Sequence, residues 1–215
     1  MRQFAVIGLG RFGQAVGTAL RELGQEVLGI DKDETRTQAL ADVLTHVIQA
    51  DATQEGVLAG LGLDRLDAAV VAMGADIEAS TLVTMMLKEL GVRHVVARAS
   101  TVTHGKVLAK VGADRVVFPE QDMGVRIAHG LSNPNVLDFI ELLPHYSVVE
   151  MTAPKWMHGK TLGELHLRQR YGANVILIRR GDRINATPGG GDVIEEGDLL
   201  VLSGTTEDLQ ELGED

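Results

Sequence analysis

The chain has 215 residues, 45% of them apolar, enough for a real core in one large domain or two small ones. A formal charge of −10 and 3% aromatic residues argue against nucleic acid and anionic membranes as partners, since these call for clustered cations and stacking rings. With no cysteine, disulfides, thiolate metal sites and thiol nucleophiles are excluded.

Phe4–Ile7 reads as a strand that runs into Gly8-Leu9-Gly10-Arg11-Phe12-Gly13 and then a helix from Gln14 to Leu20. A strand, a G-x-G-x-x-G turn and a helix put unpaired backbone N–H groups and a helix dipole at one spot, suited to a pyrophosphate. Gly8 serves the tight turn, Gly10 the approach of the phosphate, and Gly13 the packing of helix on strand. Glu26–Ile30 is a second buried strand, closed by Asp31, whose carboxylate can accept hydrogen bonds from ribose hydroxyls or simply cap the next helix, Glu34 to about Asp42. The third strand, Thr45–Ile48, leads to Asp51-Ala52-Thr53, where Asp51 lies within reach of a base or ribose; alternatively it caps a helix with Gln54. Strands at Ala68–Ala72, Val95–Ala97 and Arg115–Phe118 alternate with segments of helical length. The expectation is an α/β, doubly wound, parallel six-stranded Rossmann-like sheet in the order 3-2-1-4-5-6.

After Pro119-Glu120 a helix runs to about Leu131, followed by the turn cluster Ser132–Asn135 and an apolar bridge, Val136–Leu142, before Pro144. The expected division is a nucleotide-binding domain over 1–132, a crossover over 133–144 and a small α+β C-terminal lobe over 145–215. That lobe carries strands at Val148–Met151, Val175–Ile178, Arg183–Ile184 and Leu199–Leu202 and one helix, Leu162–Gln169. A module of about 70 residues has little core, so docking on a copy of itself is a natural route to stability. No apolar run approaches a membrane span and no signal-peptide pattern opens the chain, so a soluble, non-exported protein is expected.

Arg11 is unusual, because the pyrophosphate is already served by backbone donors; a guanidinium there can grip a further phosphate, or merely face solvent. Glu120 suits a helix start, and a carboxylate combined with phosphate oxygens also suits a hard cation. The histidines lack ligand spacing, and Gly159-Lys-Thr161 fails as a Walker A loop because Pro154 stands where its first glycine is needed.

Gly8–Gly13, Asp31, Asp51–Thr53, Ala75-Asp-Ile-Glu-Ala-Ser80 and Phe118-Pro-Glu-Gln-Asp-Met-Gly124 together resemble the RCK (KTN) regulatory subunits of bacterial potassium uptake systems, the Ktr type in particular, with similarity to the Trk type. The C-terminal lobe resembles the family's second module at Gly159–Leu162, Arg168–Gly172 and Glu196–Asp198. The resemblance implies a homo-oligomer of eight subunits in a ring, peripheral to the cytoplasmic face of the membrane and docked on an integral-membrane potassium-translocating subunit. ATP would favour the conducting arrangement and ADP the closed one, with NAD(H) as a further ligand. It implies nucleotide contacts at Gly8, Gly10, Arg11, Phe12, Gly13, Asp31, Lys32, Asp51, Ala52, Thr53 and Arg98, with Mg2+ or another cation at Glu120. It also implies cyclic di-AMP in the second lobe at Arg168, Asn174 and Pro188. Two functions remain open on the residues: a nucleotide-sensing gating subunit, which is not an enzyme, and a small NAD-dependent oxidoreductase. The second fits the glycine turn and Asp31 but leaves little room for a substrate pocket. An accessory protein of a cation/proton antiporter differs from the first only in its membrane partner.

Overall fold

Residue patterning sets the first half. In the computed structural model, which describes residues 1–54 and 56–214, β1 (Gln3–Ile7), β2 (Glu26–Asp31), β3 (His46–Gln49), β4 (Ala68–Val71), β5 (Val95–Arg98) and β6 (Arg115–Val117) pair in parallel in the order β3-β2-β1-β4-β5-β6. This is the expected doubly wound sheet. The central strand β4 reads Ala-Ala-Val-Val with every residue buried, as a strand covered on both faces must. Five helices accompany the strands: α1 (Arg11–Glu22), α2 (Glu34–Leu40), α3 (Ile77–Glu89), α4 (Val102–Lys110) and α5 (Pro119–Ser132). Side chains fix three of their starts, since Asp33, Asp76 and Thr101 accept the backbone N–H of Arg36, Ala79 and His104. Ile7, Ile30, Val71, Val83, Leu87 and Leu108 pack one face of the sheet, and Val6, Leu9, Val27 and Leu44 the other. Each such side chain contributes about 1.5–3 kcal/mol of burial.

Because β1 lies between β2 and β4, the chain leaves β1 on one side and returns on the other. In register, Ile7 stands beside Ile30 and Val71, so three strands end together. That reversal opens a crevice at their carboxyl ends. Between β3 and β4, the described residues form turns and two short 3-10 segments, Ala59–Leu61 and Leu63–Arg65.

The chain divides into two units, Met1–Glu120 and Gln121 onward. In the second, β7 (Val136–Leu143), β8 (Tyr146–Thr152), β9 (Asn174–Arg180), β10 (Arg183–Asn185) and β11 (Leu199–Thr205) form an antiparallel sheet ordered β10-β9-β11-β8-β7. Alternate residues of β8 and β11 are buried, with Val149, Met151, Leu200 and Leu202 in the core. The small α+β lobe is thereby observed. Two local readings change. The apolar bridge is an edge strand, β7, joined to β8 through Pro144 and a positive-φ His145. The single helix expected over Leu162–Gln169 is two, α6 (Leu162–Leu165) and α7 (Leu167–Tyr171), because His166 takes φ +49° and interrupts the helical path. A last helix, α8 (Thr206–Glu214), which the pattern alone does not predict, buries Leu209 and Leu212.

Candidate functional site

The crevice at the strand ends is a cleft of about 240 Å3. Gly8, Gly10, Asp31, Lys32, Asp51, Ala52 and Arg98 line it, all of them expected from sequence; Arg11, Phe12, Gly13, Thr53 and Glu120 do not.

The three glycines of the turn do different work. Gly8 has φ +93°, and a Cβ there would stand 2.8 Å from Met73 Cγ. At Gly13 a Cβ would fall 1.9 Å from the Gly8 carbonyl oxygen, so the glycine is what lets α1 lie on the strand. At Gly10 a Cβ would meet nothing within 4 Å among the described residues, so the missing side chain leaves open space facing the cleft. The first helical bond runs from Gln14 N–H to Gly10 O at 2.8 Å, and among the described residues no side chain caps α1. The preceding amides and the positive helix end therefore present an anion cradle, and a phosphate group fits there.

Not every amide of the turn is available. Leu9 N–H donates to Asp31 Oδ2 at 2.6 Å, and Asp33 N–H donates to Asp31 Oδ1 at 2.9 Å. Asp31 is thus both the carboxylate at the strand end and the brace of the glycine turn. Asp51 does not cap a helix through Gln54: its Oδ1 accepts both the N–H and the hydroxyl of Thr53, at 3.0 and 2.6 Å. The Thr53 bonds hold the Asp51 carboxyl below its ordinary value.

Across the cleft, Arg98 at the end of β5 donates to Glu120 from Nη2 at 2.5 Å and from Nε at 3.4 Å. This pairing lowers the Glu120 pKa, with Arg11 adding a smaller electrostatic pull. Arg98 and Arg11 therefore both act on Glu120 beside the cleft, although of the three only Arg98 lines it. Among the described residues no three His, Cys, Asp or Glu side chains converge, so a cation at Glu120 would need phosphate oxygens to complete its shell. Phe12 packs its ring on the core behind the turn, which leaves its amide as its means of meeting a ligand.

Three residues at the cleft are not among the contacts expected from sequence. Arg36 lines the cleft from α2, Asp76 caps α3 at the cleft wall, and Gly74 makes room for Arg98, since a Cβ there would stand 3.0 Å from Arg98 Cγ. Asp76 has a sequence signal, an acid ahead of an apolar helix. Neither Arg36 nor Gly74 has one, because each matters through a neighbour on another segment.

In the second unit, Arg168, Asn174 and Pro188 line one cleft of about 280 Å3. Arg168 Nη2 donates to Asn174 Oδ1 at 2.6 Å. The glycine-rich loop is an ordered wall: Gly163 N–H bonds to Gly190 O at 2.8 Å and Gly189 N–H to Asp192 Oδ2 at 2.7 Å.

Comparison with known proteins agrees with both halves. Residues 4–119 match the TrkA-N domain and residues 147–214 the TrkA-C domain. The Ktr system potassium uptake protein C of Bacillus subtilis is 43% identical over 97% of this chain and 94% of its own length. Among solved structures, the GsuK RCK domain superposes with a TM-score of 0.70 at 20% identity, over 100% of this chain and 48% of that one, a likeness of fold. A crystal structure of GsuK bound to ADP aligns with a TM-score of 0.53 at 27% identity, over 60% of this chain and 33% of that one. With both halves matched and a relative similar along nearly its whole length, the chain belongs to the Ktr-type, TrkA-domain family of potassium uptake proteins and is not an oxidoreductase.

Proposed function

We propose that this chain is the nucleotide-sensing gating subunit of a potassium transporter, working through a ring of copies docked on an integral-membrane subunit. The observation that carries the reading is the convergence of the open Gly10 cradle, Asp31 and Arg98 on one cleft, in a member of a potassium uptake family. Adenosine nucleotides suit it: the α1 amides take a phosphate, the strand-end carboxylate takes the ribose, and the Asp51–Thr53 turn flanks the base side. GsuK, which in its ADP-bound form aligns over 60% of this chain, has been crystallised with ADP. NAD(H) satisfies the same donors. Arg11 stands at the first position of α1, where a terminal phosphate would reach it, and Glu120 with that phosphate would hold Mg2+ or a similar cation.

Gating follows if ATP and ADP differ in preference between two ring arrangements, because a ligand shifts an equilibrium only by its differential affinity. The charge at the terminal phosphate, met by Arg11, Arg98 and the cation, supplies that difference. Cyclic di-AMP is assigned to the second cleft, where Arg168 offers a guanidinium and Pro188 an apolar wall. Among the described residues no helix is long and apolar enough to cross a membrane, in keeping with a subunit that acts through a membrane partner.

Native mass spectrometry of the full chain with ATP, ADP, NADH and cyclic di-AMP tests the proposal. Eight subunits carrying one adenosine nucleotide each are expected. A chain that stays monomeric or retains no nucleotide overturns it.

A further inference from the structure

Asp31 is the group on which the ribose reading depends, yet its side chain is only 5% exposed. A carboxylate offers about four acceptor sites. Among the described residues three are in use: Leu9 N–H at 2.6 Å and Arg36 Nη1 at 3.4 Å on Oδ2, and Asp33 N–H at 2.9 Å on Oδ1. A ribose cis-diol brings two donors to one remaining site, so one present donor has to leave.

The three donors are not equally free to go. Leu9 and Asp33 donate from backbone, and breaking either bond would disturb the glycine turn or the start of α2, which Asp33 caps. Arg36 is different. Its side chain is half exposed, and its two acidic contacts are long, 3.4 Å to Asp31 and 3.7 Å from Nε to Asp33, against about 2.7–2.9 Å for a tight charge-assisted bond. Its backbone N–H separately holds the Asp33 cap, at 3.2 Å, so moving the side chain leaves α2 intact. Arg36 also lines the cleft itself.

We infer that Arg36 is a ribose gate: its guanidinium covers the last accessible side of Asp31, and the ribose hydroxyls of an incoming nucleotide displace it. This rests on the nucleotide reading above and adds to it a specificity-setting residue on α2. The residue keeps Asp31 paired when no ligand is present, and it subtracts the Arg36–Asp31 contact from whatever the ribose gains. The site consequently discriminates ribose from deoxyribose less sharply than Asp31 alone would.

The test compares ADP with 2′-deoxy-ADP by calorimetry on the full chain, for wild type, Arg36→Ala, Asp31→Ala and the double variant. With the gate removed, ADP no longer has an ion pair to displace, while 2′-deoxy-ADP, which leaves that pair in place, binds much as before. The affinity ratio of ADP to 2′-deoxy-ADP should therefore rise in Arg36→Ala by about two- to fivefold, the range of a partly exposed ion pair. In both Asp31→Ala backgrounds the ratio should be near one and insensitive to residue 36. An unchanged ratio in Arg36→Ala, or a fall caused by weaker ADP binding alone, overturns the gate and leaves the nucleotide reading standing. Wild type that binds neither nucleotide overturns the nucleotide reading itself.

Discussion

Gly10 and Gly13 lie three residues apart in one turn, yet the structure assigns them opposite consequences when each is changed to alanine. At Gly10 the new methyl meets nothing within 4 Å, so the folded chain accommodates it; the cost is that of alanine for glycine at a helix N-cap, about 1 kcal/mol, or about 2–4 °C in melting temperature. That methyl occupies the space in which a phosphate would meet the α1 amides. Hydrogen bonds to a charged group contribute about 1.5–3 kcal/mol each, so losing two weakens ADP binding on the order of a hundredfold or more. At Gly13 the methyl would stand 1.9 Å from the Gly8 carbonyl oxygen, and α1 must shift by roughly an ångström to relieve it. Overpacking of this kind costs about 1–3 kcal/mol, partly offset by the better helix propensity of alanine. Calorimetry with ADP and thermal melting on both variants separate the effects: Gly10→Ala should lose binding and keep most of its stability, and Gly13→Ala should lose stability. Wild-type affinity in a folded Gly10→Ala chain would refute the cradle.

Further outcomes follow from buried polar groups and from the Arg98 pair. Asp198 is fully buried, and Arg180 grips it from Nε and Nη2 at 2.7 and 2.8 Å. Burial raises the Asp198 pKa, but Arg180 and the Glu195 amide outweigh it and hold the carboxyl below its usual value. Arg180→Met should thus cost about 3–5 kcal/mol in urea unfolding of the C-terminal unit, since it strands a charge, whereas an exposed pair would cost under about 1 kcal/mol. His104 is buried, which lowers its pKa; its Nδ1 accepts Ser100 N–H at 3.3 Å and its Nε2 lies 2.9 Å from Ser80 Oγ, a network satisfied in the neutral ring. Because the folded value lies below that of the unfolded chain, about 6.5, the unfolded state binds the proton first. Stability should be full above about pH 6.5 and fall as the pH drops through the folded value, and a smaller decline in His104→Gln across the same titration assigns the effect to this ring. Arg98→Ala should raise the Glu120 pKa toward its ordinary value, read by NMR titration, and weaken ADP binding about tenfold.

Much of this was legible in the residues because the signals are local. The strand, glycine turn and helix, the acid closing β2, and the alternation of short β-rich runs with helices each follow from spacing along one segment, and together they specify the observed 3-2-1-4-5-6 order. What escaped is decided across segments. Val136–Leu143 has acids at Asp138 and Glu141 among its apolar residues, and only pairing with β8 makes it a strand. His166 has no turn-forming composition around it, and α8 is defined by the core that Leu209 and Leu212 enter. In the site, sequence supplied Asp31 but not its bond to the Leu9 amide, and it missed Arg36 and Gly74, whose roles exist only once Asp31 and Arg98 stand beside them.

The central claim is that the cleft senses how many phosphates its nucleotide carries, through the guanidinium at Arg11. Its most direct test is calorimetry of ATP and ADP, with Mg2+ present, on the wild-type chain and on Arg11→Ala. The account predicts that wild type binds both nucleotides with different affinities and that the variant still binds ADP while the difference collapses. A wild type that binds neither, or an ATP–ADP difference that survives the loss of Arg11, would contradict it.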